Sequence, residues 1–149
     1  MNFRRFILIA AAAILLSGNL QALPPMEAPL DRARNSDVVI HVVVTSSQQT
    51  GLNSVVSAVQ LGIQVQQVLK ASPGFEAGTL RVLNFLIAPQ SFESGLREPP
   101  GPGHWVVFLN IKRQQVDGRT IAVPVLYSPQ AFAFHPYDEE LGQEIRKLP

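Results

Sequence analysis

Val59-Gln60-Leu61-Gly62-Ile63-Gln64-Val65-Gln66-Gln67-Val68-Leu69-Lys70, resumed after Pro73-Gly74 by Thr79-Leu80-Arg81-Val82, is the stretch that decides the fold. Val59, Leu61, Ile63 and Val65 alternate with polar residues or glycine, the two-residue period of a strand with one dry and one wet face. The segment therefore reads as two strands joined by a loop of about nine residues. The alternation slips at Gln66-Gln67, because Val68 stands in the opposite phase from Val65. A β-bulge there would return Val68 or Leu69 to the core and bend the strand, as closing a small barrel requires.

To the left lies Asp37, then Val38-Val39-Ile40-His41-Val42-Val43-Val44, a β-branched run with almost no polar alternate. Such a run describes a strand covered on both faces, the most buried of the chain. His41 interrupts it and reads as a packing residue. Thr45 to Ser54 is polar and reads as a loop or a frayed strand end. To the right, Leu83 to Ile87 extends the partner strand, apolar on both faces except at Asn84.

The amino terminus has the three parts of an export signal: Arg4 and Arg5, the apolar run Phe6 to Leu16, and a more polar exit ending at Ala22. An apolar run this short is about half of the ~20 residues that a spanning helix needs. The expected division is a signal peptide over 1–22, an arm with a short helix over 23–36, and one β-rich domain over 37–149. The arm holds three prolines in Leu23 to Pro29, and the helix, Pro29 to Ser36, places Leu30 and Ala33 on one side and leaves Asp31, Arg32 and Arg34 solvated. The Arg-Arg start and short run resemble bacterial signals, which predicts a periplasmic or secreted protein with no stable membrane span after cleavage.

Of twelve Lys and Arg, two lie in the signal, leaving ten against eleven Asp and Glu, a formal charge of −1. Neither that balance nor any basic cluster provides the electrostatic footprint of nucleic-acid binding. The chain has no cysteine. Disulfides, thiol catalysis and thiolate metal sites are thereby excluded, and the core alone must supply stability.

Pro89 to His104 breaks the pattern with four prolines and three glycines. A connection this long without periodicity is the best place for a binding surface, with Phe92, Leu96 and Arg97 as its candidate residues. Beyond it, Trp105 to Lys112 is a strong strand whose partner is Ile121 to Tyr127 across Asp117-Gly118. A three-residue loop, Val116-Asp117-Gly118, matches apolar faces by pairing Ile111 with Val123, Leu109 with Val125 and Val107 with Tyr127. Pro124 cannot donate to a ladder, so its strand belongs at an edge or turns that position outward. Phe132 and Phe134 then plug one end of the core. Pro136 is expected to open a terminal helix, favoured by Asp138, Glu139 and Glu140 at its start and burying Tyr137, Leu141, Ile145 and Leu148 on one face.

His41, His104 and His135 are isolated from one another in sequence, so no metal site or cofactor is expected. No G-x-S-x-G elbow and no phosphate-cradling loop is present. Trp105 and Tyr127 are candidate binding residues, either as an aromatic platform for sugar or peptide or as core and rim packing.

A short helix, the run from Asp37 to Ile40, the strand ending Val65 to Lys70, the loop with Pro73-Gly74 and Gly78, Leu80 to Leu83 and the Trp105 to Leu109 strand resemble OB-fold domains of the tissue-inhibitor-of-metalloproteinases and netrin-module type. The resemblance implies a small OB-like barrel of about five antiparallel strands. It does not imply inhibition, because those inhibitors use an amino-terminal cysteine and disulfides that are missing here. The expected function is an exported, non-enzymatic binding or protein-interaction domain of the bacterial cell envelope, with an envelope protein or peptide as partner. The alternative is a small envelope hydrolase with a site assembled from scattered acids and histidines.

Overall fold

The structure, a computed structural model, describes residues 27–88 and 98–149. The expected signal peptide, the arm up to Met26, and the candidate residues Phe92, Leu96 and Arg97 lie outside the described residues.

The chain is mainly β. Strands β1 (Val38–Gly51), β2 (Ser57–Lys70), β3 (Val82–Ile87), β4 (Gly103–Val116), β5 (Arg119–Leu126) and β6 (Phe134–Pro136) form one antiparallel sheet, with helices α1 (Pro29–Asn35) and α2 (Glu139–Arg146). The order is β3-β2-β1-β4-β5, and β6 also pairs with β4. β1 is central, as its β-branched run requires: Val38, Val39, Ile40 and Val42 are fully buried. Each such side chain contributes roughly 1.5–3 kcal/mol over leaving it exposed. β1 does not end where its apolar run ends. Thr45 to Gly51, expected as loop or frayed end, stays paired with β2 as far as Gly51↔Ser57, because backbone pairing along a hairpin continues where the side chains have already entered solvent.

In β2, Val59, Leu61, Ile63 and Leu69 are buried while Gln60, Gln64 and Gln66 are exposed. The pairing passes from His41↔Gln67 to Val42↔Val65, so Gln66 is the extra residue, at the expected slip. Leu69 returns to the core and Val68 remains outside, 37% exposed.

The expected mainly β fold with a short helix at each end of the domain is present, but among the described residues the sheet bends without closing, so its likeness to a barrel is only approximate. The sheet coils far enough for the Phe85 ring of β3 to meet Phe134 of β6 at 5.8 Å between centroids, yet no ladder joins those two strands. Six described strands, with β3 and β5 at the ends of the order, stand where about five were expected.

The β4–β5 hairpin overturns the expected register. Val116 pairs with Arg119, Ile111 with Pro124 and Leu109 with Leu126. Asp117 and Gly118 form a two-residue loop with φ of 49° and 74°, the positive pair that a type I′ turn needs. Matching apolar faces fixes register only where a face is buried. From Lys112 to Ile121 the hairpin is exposed on both sides, so turn chemistry decides. β5 is an edge strand, and Pro124 sits at a position whose backbone nitrogen points away from β4, where it costs no ladder bond.

Two local expectations also change. Arg32 is buried at 6% exposure rather than solvated. Its Nη1 donates to Phe132 O at 2.9 Å, its Nε to Glu27 O at 3.1 Å, and its guanidinium lies over the Phe108 and Phe132 rings. Acceptors and aromatic faces replace the water that it loses. Pro136 belongs to β6, and α2 begins after Asp138, whose Oδ1 accepts from Leu141 N at 2.8 Å. An N-cap of that kind satisfies an otherwise orphaned helix donor. No helix among the described residues is long and apolar enough to cross a membrane.

Candidate functional site

Two of the three histidines meet. His41 on β1 and His104 on β4 reach across adjacent strands, Nε2 to Nδ1 at 3.0 Å. Their ring centroids are 5.2 Å apart, so the rings point tip to tip and one N–H aims at the other's lone pair. A shared metal ion would instead need both lone pairs to converge off that line. Among the described residues no three His, Asp or Glu side chains gather as a ligand set.

Tyr137 lies flat on His41, ring centroids 3.5 Å apart and planes 1° from parallel. Its hydroxyl donates to Glu139 Oε2 at 2.8 Å, Arg146 Nη2 approaches Glu139 Oε1 at 3.4 Å, and Arg146 Nη1 donates to Gln67 Oε1 at 2.6 Å. Gln67 is the cross-strand neighbour of His41. The chain of contacts thus returns to its starting strand pair and ties α2 to the sheet at the Gln66 bulge.

Burial and the repulsion of His104, against a smaller upward pull from Glu139, hold His41 below its usual 6.5. His135 is likewise lowered, by burial and by Arg32, with Asp138 opposing. The Tyr137 hydroxyl is pushed up chiefly by its bond to Glu139. Perturbed groups mark functional sites only when a reacting position lies between them. Here the hydroxyl turns to Glu139 rather than to the histidines. The contacts of Tyr137, Glu139 and Arg146 join α2 to β1 and β2.

The clefts lie elsewhere. One of about 740 Å³ is lined by Ser47, Gln49, Ser57, Ile87 and Glu98 among others; a second of about 410 Å³ runs over Gln48, Gln60, Asn84 and Leu86 on the outer side of β1, β2 and β3. Among the described residues neither is lined by a histidine.

The second cleft adjoins a strand edge on which no further strand pairs among the described residues. Ile63 N donates to Arg81 O at 2.9 Å, and the antiparallel alternation that follows turns the backbone of Leu83, Phe85 and Ile87 toward β2 and that of Val82, Asn84 and Leu86 outward. Val82 is 42% and Leu86 54% exposed. β3 contains neither proline nor a charged residue, and Arg81, just before it, is folded back onto Gly78 O and Leu80 O. Edges are ordinarily blunted by charge, proline or a covering loop. The β5 edge has Arg119 and the outward Pro124; β3 has no such guard in its own sequence.

Trp105 and Tyr127 are not brought together. Trp105 pairs with Val42 and Pro136 and donates from Nε1 to Gly101 O at 2.9 Å. Tyr127 is buried toward the other end of β4, its N donating to Phe108 O and its hydroxyl to Glu27 Oε2 at 2.7 Å. The sequence reading found this strand apolar on both faces except at Asn84 but named none of Val82, Asn84 and Leu86 as a site residue, although exposed apolar positions on a strand are a readable signal. Neither a protein-family model nor a curated protein matches this chain.

Proposed function

We propose that this chain is an exported, non-enzymatic interaction domain of the bacterial envelope that binds an extended polypeptide segment as an added strand beside β3. The observation that carries the reading is the β3 edge, on which no strand pairs among the described residues, with outward backbone groups at Val82, Asn84 and Leu86 and two exposed apolar side chains. Strand addition draws affinity from main-chain bonds and selectivity from alternate side chains. The cleft over Gln60, Asn84 and Leu86 supplies room for those side chains.

The test removes one outward donor. Asn84→Pro deletes an N–H that faces away from β2, so the ladder inside the sheet survives. Immobilised wild-type chain should retain a strand-forming polypeptide from envelope extract, and N84P and L86K, with unchanged circular dichroism, should not. Equal retention by all three rejects the edge as the binding surface.

A further inference from the structure

We infer that the segment added to β3 is β3 of a second copy, paired antiparallel about a two-fold axis through Asn84; this rests on the edge-strand reading above. The outward positions are Val82, Asn84 and Leu86, with the exposed apolar residues at equal spacing on either side of the amide. A two-fold contact requires a self-complementary patch. In this register Asn84 faces Asn84 of the second copy, and each Val82 faces the other copy's Leu86, so both exposed apolar side chains are covered at once.

Charge and polarity fit. β3 has no charged residue, so two copies meet without like charges across the ladder. Asn84 Oδ1 already accepts from Gln60 Nε2 at 3.1 Å, which orients the amide and leaves its Nδ2 donors for the facing Asn84. The β5 edge lacks this symmetry: its outward file is Thr120, Ala122, Pro124 and Leu126, and proline removes one donor.

Size sets the strength. Six residues from each copy form a small contact beside the roughly 1,200–2,000 Å² of stable complexes. The dimer is accordingly a weak one that exchanges with monomer in the micromolar range.

Because the chain contains no cysteine, introduced thiols report the register directly. Directly opposed residues of a hydrogen-bonded antiparallel pair have Cα atoms about 5.5 Å apart, inside the usual 4.4–6.8 Å of a disulfide. The full chain should show a concentration-dependent monomer–dimer equilibrium in sedimentation, and N84P should be monomeric. Under mild oxidation N84C should form a disulfide-linked dimer at least tenfold faster than V82C or L86C alone, while V82C mixed with L86C should cross-link to each other. A chain that stays monomeric through the high micromolar range, or three thiols that link at equal rates, overturns the self-pairing. If such a monomer still loses capture of an envelope polypeptide on N84P, only the second copy is rejected; if capture ignores N84P, the edge-strand reading falls as well.

Discussion

The Tyr137 ring is held between the His41 imidazole, stacked on it at 3.5 Å, and Gly142 of α2, where an added Cβ would stand 3.0 Å from the Tyr137 ring and hydroxyl. Glycine in a helix costs about 1 kcal/mol relative to alanine, and this contact is the reason the helix tolerates it. Gly142→Ala should therefore destabilise the chain despite its better propensity, since His41 blocks the ring from retreating. In a Tyr137→Ala background the same change should stabilise by about 0.5–1 kcal/mol. Urea unfolding of the four variants gives the coupling, and equal effects in both backgrounds would reject the clamp.

Stability should fall on mild acidification. His41 and His135 are both held below 6.5 in the folded chain, chiefly by burial, whereas the unfolded chain protonates near that value. Their contribution is complete above about pH 6.5 and is lost as pH falls from there toward the depressed folded values. Thermal melts from about pH 7.5 down to about pH 5 should show a decline that His41→Phe makes shallower. An unchanged slope would mean that His41 is not the group responsible.

Arg32 joins α1 to the turn before β6. Arg32→Ala leaves Phe132 O, a buried acceptor, without its donor and uncovers two aromatic rings, a loss of about 1–3 kcal/mol. Arg32→Lys should recover only part of it, because an ammonium cannot spread over the Phe108 and Phe132 faces while reaching two carbonyls. Denaturation midpoints at equal m-value would check the order wild type, Lys, Ala.

The β4–β5 turn offers a milder test. Gly118 has φ of 74°, so Gly118→Ala should cost about 1 kcal/mol or more locally. The hairpin end is exposed on both sides, so the damage should appear as faster hydrogen exchange from Lys112 to Ile121 and leave β1 protected. Loss of protection in β1 would show instead that the turn supports the core.

Local residue order determined a good deal of this protein. The alternation of Val59 to Val65, the doubly apolar run of Val38 to Val44, the slip at Gln66 and the edge position demanded by Pro124 follow from side-chain period and proline's missing donor, which act within a few residues. The exposed hairpin took its register from the local Asp117-Gly118 turn; tertiary structure alone decided whether the bent sheet closed, that Arg32 went inside, and that His41 and His104, 63 positions apart, came to share a hydrogen bond under Tyr137. Those outcomes depend on which faces are covered and which strands lie side by side, energies set by residues distant in sequence. The β3 edge belongs to both: the exposed Val82 and Leu86 on either side of Asn84 were in the letters, but only the strand order put them at the rim of the sheet.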